Sequence, residues 1–139
     1  MMKLITVVLL SIFVSACAYP IYKTLQPEAS LTIKDKDGKP IEGAVVTLVS
    51  HSYPYGLEKT RMLVKSNGRG EADFPIIKQW RTESLMIHRS EVFVWNWCVV
   101  KEGFETFKSS YGRGSEFEAF KVIQLKPGKT TQCPEITKL

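Results

Sequence analysis

Between Ala29 and Cys133 the chain is cut into short apolar runs by turn signals, at the spacing of β-sandwiches and barrels. Leu31, Ile33 and Asp35 alternate with Thr32 and Lys34, a period of two that predicts a first strand. Asp37-Gly38-Lys39-Pro40 is a turn in which Gly38 is free to take positive φ. Ile41-Glu42-Gly43-Ala44 then leads into the β-branched run Val45 to Val49. His51 to Lys59, with Pro54 and Gly56, reads as a polar loop, and Arg61 to Lys65 as a third strand. Asn67-Gly68-Arg69-Gly70 turns the chain into Glu71 to Phe74. Pro75 to Ser90 fits neither a strand nor a helix period, so a loop with at most one helical turn is expected there. Gly103-Phe104 is a further turn, and Ser109 to Ser115 a loop with two glycines. Phe117 to Leu125 and Thr130 to Cys133 are expected to close the domain, joined by Lys126-Pro127-Gly128-Lys129.

Glu91 to Val100 (EVFVWNWCVV) is the strongest strand pattern in the chain. Phe93, Trp95, Trp97 and Val99 share one face, and Val92, Val94, Cys98 and Val100 share the other with Asn96. Apolar residues on both faces imply a strand that is covered twice, or one that presents aromatics outward. Two readings of Trp95 and Trp97 follow. Exposed, they form a patch for an unknown envelope protein or a glycan, with Trp80, Tyr53 and Tyr55 in nearby loops. Buried, they fill the core, and the apolar company of Phe93 and Val99 favours this.

The N-terminus carries a different signal. After Lys3, Leu4 to Val14 is an uncharged apolar run, shorter than the roughly 20 residues a spanning helix needs. It fits the apolar core of a secretory signal peptide, and Ser15-Ala16 supplies the small residues of a cleavage site. Val14-Ser15-Ala16-Cys17 resembles the lipobox of bacterial lipoproteins, usually Leu-Ala-Gly/Ala-Cys. The resemblance implies that residues 1–16 are removed and that the Cys17 sulfur receives a diacylglyceryl group. Its new amino group is then commonly acylated, and several chains on one residue anchor stably where one would not. Ala18 follows the cysteine, where an aspartate is the usual signal for retention in the inner membrane. The resemblance therefore implies the periplasmic face of the outer membrane. Residues 18–28, with two prolines and no clear period, read as an irregular tether reaching up to ~35 Å.

Export bears on the cysteines. With Cys17 committed to lipid, Cys98 and Cys133 remain, and an even pair in an oxidising compartment points to a disulfide. Two buried free thiols are the alternative. Cleavage would remove only Lys3 among the charged residues, so the net charge falls from +5 to +4. The basic residues are spread along the chain rather than packed into a block, which argues against nucleic-acid binding.

Asp35-Lys36-Asp37-Gly38-Lys39-Pro40-Ile41-Glu42-Gly43-Ala44-Val45-Val46 resembles the opening of carboxypeptidase regulatory-like domains, which are transthyretin-like sandwiches. Ser66-Asn67-Gly68-Arg69-Gly70-Glu71-Ala72-Asp73-Phe74 is similar to the second element of that pattern. Val99-Val100-Lys101-Glu102-Gly103-Phe104-Glu105 is similar to the third. The resemblance implies an all-β antiparallel sandwich of about seven strands over residues 29–139, without catalytic residues, because the module is an accessory in its family. The long Pro75–Ser90 insertion and Trp95-Asn96-Trp97-Cys98 depart from the pattern.

The sequence offers few groups from which a reactive site could be assembled. His51 and His88 are the only histidines and stand apart, with no HxH or CxxC spacing. Neither sits in a nucleophile–base–orienter pattern. The expectation is therefore a non-enzymatic lipid-anchored envelope protein with no cofactor or metal. Its partners would be membrane lipid through Cys17 and an unknown envelope protein or glycan. In plan it is similar to the outer-membrane lipoprotein of type VI secretion, although the Asp-Gly-x-Pro-x-x-Gly-Ala opening is not typical of that component. An inhibitor or immunity lipoprotein is a further alternative, which the positive charge disfavours against basic lysozymes.

Overall fold

The computed structural model describes residues 18–53, 57–84, 92–110 and 116–134. Among them the regular structure is β, in nine strands. These are β1 (Ala18–Gln26), β2 (Ala29–Lys34), β3 (Val45–Tyr53), β4 (Leu57–Lys65) and β5 (Glu71–Phe74). They are followed by β6 (Ile77–Ser84), β7 (Val92–Val100), β8 (Phe107–Lys108) and β9 (Phe120–Gln124). Two sheets form the sandwich: β5-β2-β9 and β4-β3-β7-β8. A separate two-stranded ribbon joins β1 to β6. Pairing is antiparallel except between β2 and β9, which run parallel.

The period of two explains which side chains meet. Leu31 and Ile33 of β2, Ala72 and Phe74 of β5, and Ile123 of β9 turn inward from the first sheet. Val46 and Leu48 of β3 with Trp97 and Val99 of β7 turn inward from the second, and Met62 and Val64 of β4 pack beside them. Gly70 shows why one turn tolerates no side chain. Its φ is +77°, and a Cβ there would lie 2.4 Å from the Ile33 carbonyl oxygen. The approach is close because the Ile33 N–H donates to the Gly70 carbonyl, docking the turn on β2. Asn67 holds the same turn, its Oδ1 accepting from the N–H groups of Arg69 and Glu71. Asp35 does likewise for Asp37 and Lys39 in the first turn.

The structure corrects several expectations. The two sandwich sheets hold the expected seven strands, and the β1–β6 ribbon adds two that were not expected. The segment read as a tether is β1, and the segment read as a loop after Pro75 is β6. The polar loop expected from His51 to Lys59 is shorter, because β3 runs to Tyr53 and β4 begins at Leu57. Thr130 to Cys133 is not a strand. The Thr130 hydroxyl instead accepts from the Gly103 N–H and lies 3.0 Å from the Lys101 and Phe104 carbonyls. Those bonds satisfy the tail without a ladder.

Pairing registers show what the β1–β6 ribbon is. Ala29 pairs with Phe74 in the β2–β5 ladder, and Gln26 pairs with Ile77 in the β1–β6 ladder. Three steps back along one strand meet three steps forward along the other, so the two ladders share one register. The ribbon is a continuation of the β2–β5 pair. The ladder lapses between them where Pro27 and Pro75 fall, and neither proline has an N–H to give. The Gln26 side chain fills the gap, its Nε2 donating to the Pro75 carbonyl at 2.7 Å. A bulge at Leu25 follows, since Thr24 pairs with Lys78 while Gln26 pairs with Ile77.

Candidate functional site

The bulge positions the ribbon on the end of the sandwich. It aims the Leu25 carbonyl at Trp95, whose Nε1 donates to it at 2.8 Å. Beyond the bulge, alternation divides the ribbon into two faces. Tyr19, Ile21 and Lys23 share the inner face with Gln79, Arg81 and Glu83. Here the Lys23 ammonium and Arg81 guanidinium lie 5.5 and 6.0 Å from the ring centroid of buried Phe93. Lys23 also pairs with the buried carboxylate of Glu83, toward which the Tyr19 hydroxyl points. The inner face is thus a polar lid whose cations cover an aromatic of β7.

The outer face is of another kind. Tyr22 and Trp80 are cross-strand partners with ring centroids 5.2 Å apart, and they are 54% and 67% exposed. The Lys78 ammonium lies 5.9 Å from the Tyr22 centroid. Pro20, Thr24 and Thr82 complete this face. Over the two strands Lys23, Lys78 and Arg81 oppose only Glu83, an excess of two positive charges. A pair of exposed rings flanked by the Lys78 ammonium is an amphipathic surface.

The sequence-predicted residues divide as follows. Cys17 lies outside the described residues, as do Tyr55 and His88. Cys98 and Cys133 are joined in a disulfide, Cα to Cα 6.0 Å. Cys98 belongs to the outer face of the four-stranded sheet, yet it is buried together with its neighbours Thr47 and Val49. The tail lies over that face: Cys133 holds one point of it and Arg61, donating to the Pro134 carbonyl at 2.8 Å, another.

Trp97 is 1% exposed, with its ring centroid 5.3 Å from that of Phe74 and 5.4 Å from that of Phe117. Its Nε1 donates to the Glu118 carbonyl. Trp95 is half-buried against Phe117 and the ribbon. Of the two readings of Trp95 and Trp97, the structure thus has the favoured one, core and ribbon support, and not the outward patch, because the face they share is the one the two sheets enclose. The exposed aromatic pair is Tyr22 with Trp80. Trp80 was visible in the sequence as an aromatic outside the core pattern; Tyr22 was hidden in the supposed tether.

His51 stands on β3. Among the described residues no group of three or more His, Cys, Asp or Glu side chains is arranged to hold a metal ion. A shallow hollow of about 180 Å³ lies between Glu105–Phe107 and Gln124–Lys126. Comparison with known protein families, with characterised proteins and with solved structures finds no match.

Proposed function

We propose that this chain is a lipid-anchored envelope protein, a non-enzymatic β-sandwich held by acylated Cys17 at the periplasmic face of the outer membrane. The observation that carries the reading is Val14-Ser15-Ala16-Cys17 directly after an uncharged apolar run. Two structural facts support it. The Cys98–Cys133 disulfide suits an oxidising compartment. The first described strand, β1, spans Ala18–Gln26, which puts the expected lipid one residue from it.

The sandwich carries the order of turns on which its transthyretin-like assignment rests, with positive φ at Gly38, Gly43, Gly70 and Gly103. In this reading the sandwich is a binding or structural module, and its task is to present a surface at a fixed distance from the membrane. Metabolic labelling with palmitate tests the anchor. Wild type is expected to label and to fractionate with membranes, and Cys17→Ser to lose both properties. Label retained by Cys17→Ser would refute the assignment.

A further inference from the structure

We infer that the outer face of the β1–β6 ribbon is a membrane-docking surface, with Tyr22 and Trp80 seated among the headgroups of the bilayer that holds Cys17. The inference rests on the anchor reading above and adds an orientation to it. An irregular tether would let the domain wander up to ~35 Å from the membrane. The structure leaves no such slack, because Ala18, next in sequence to Cys17, is already paired with Ser84.

Tyr22 is five residues from Cys17, at most ~17 Å along the chain. Two geometries satisfy that leash. An upright ribbon would carry Tyr22 and Trp80 above a headgroup layer only about 5–8 Å thick. A ribbon lying along the surface would put one face into that layer. The chemistry of the outer face selects the second geometry. Tyrosine and tryptophan concentrate where an apolar ring meets water at the headgroup level. The flanking Lys78 and the ribbon's net positive charge suit anionic headgroups. The inner face is already occupied by Phe93, so lying down exposes no core.

The occupant is therefore a phospholipid surface containing anionic lipid. A protein partner on the same rings is the competing outcome. Full-length protein purified from membranes would be returned to phosphatidylethanolamine vesicles with a minority of phosphatidylglycerol and brominated acyl chains. Of the three tryptophans, Trp97 is buried and Trp95 is half-buried against Phe117 and the inner side of the ribbon, so Trp80 is the one on the docking face within reach of bromine. Docking is expected to blue-shift and quench its emission, and Trp80→Phe to abolish both effects. Lys78→Gln is expected to lower the docked-to-undocked ratio about five-fold, the worth of one cation at an anionic surface. Both side chains are exposed, and an unchanged circular dichroism spectrum would confirm that the variants fold.

Protein that labels with palmitate but keeps Trp80 unquenched would overturn docking and leave the anchor standing. So would Trp80 cross-linking to a protein in whole envelopes while remaining unquenched in vesicles. Protein that does not label at all would overturn the anchor, and docking with it.

Discussion

Replacing Cys98 and Cys133 together by alanine tests what holds the C-terminal tail across the outer face of the four-stranded sheet. The bond joins residues separated by 35 positions. Closing a loop of that length removes about 13 cal/mol/K from the unfolded chain, or about 4 kcal/mol at 25 °C. The hydrogen bonds of the tail remain available without the cross-link. Nearest Cys133, beyond those of the Thr130 hydroxyl, they include Arg61 to the Pro134 carbonyl and the Thr131 N–H to the Thr106 hydroxyl. Both are exposed, and each contributes about 0.5–1.5 kcal/mol at best.

They do not replace the covalent link, and Thr47 and Val49 should become accessible as the tail frays. Urea titration followed by tryptophan emission is expected to show a loss of about 3–4 kcal/mol, and thermal melting a drop of roughly 10–20 °C. Wild type treated with a reductant should fall to the same stability, which separates loss of the cross-link from loss of sulfur packing. A double variant within about 1 kcal/mol of the oxidised wild type would refute the reasoning. It would mean that the tail is held by its hydrogen bonds alone.

Two further substitutions probe the core and a turn. Trp97→Ala removes the largest buried ring, between Phe74 and Phe117, and strands the Glu118 carbonyl; a loss of about 3–5 kcal/mol in urea is expected. Gly70→Ala should cost at least about 2 kcal/mol in the same assay, combining a positive φ with a Cβ against the Ile33 carbonyl. Gly38→Ala has a similar φ but open space around the added Cβ, so it isolates the backbone term and should cost about 1–2 kcal/mol. Equal losses at the two glycines would show that the close approach at Gly70 carries no energy.

The parts of the fold that were legible in the sequence are those that bury a full apolar face. Leu31 and Ile33 alternate with polar residues because one side of β2 meets the core and the other meets water. Turn chemistry was equally readable, since Asp35, Asn67 and the glycines after them act within a few residues. What did not show was anything set by distant partners. The parallel pairing of β2 with β9 joins residues some 90 positions apart and leaves no local mark. The tail from Thr130 opens on two β-branched threonines, which suit a strand, yet the Thr130 hydroxyl bonds to the backbone at 101–104 and the Thr131 N–H to the Thr106 hydroxyl. Trp95 and Trp97 were legible as one face, but whether that face was enclosed depended on the opposing sheet. Phe74 reaches Trp97 from there.

The β1–β6 ribbon escaped detection for a reason tied to its proposed role. A strand announces itself when its inward face is apolar, but the inward face here presents Lys23, Arg81 and Glu83. Cations over Phe93 do the covering that leucines do elsewhere. The outward face carries Tyr22 and Trp80, the reverse of the usual polarity, and Pro20 and Pro27 further disguise β1 as linker. Inverted patterning is costly for a strand standing in water, because the exposed rings gain nothing there. It becomes favourable when that face meets a second apolar phase, and a ribbon next in sequence to Cys17, the proposed lipidation site, is placed to do so. The features that hid β1 and β6 from a periodicity reading are those a strand needs if it is to lie between a sandwich and a bilayer.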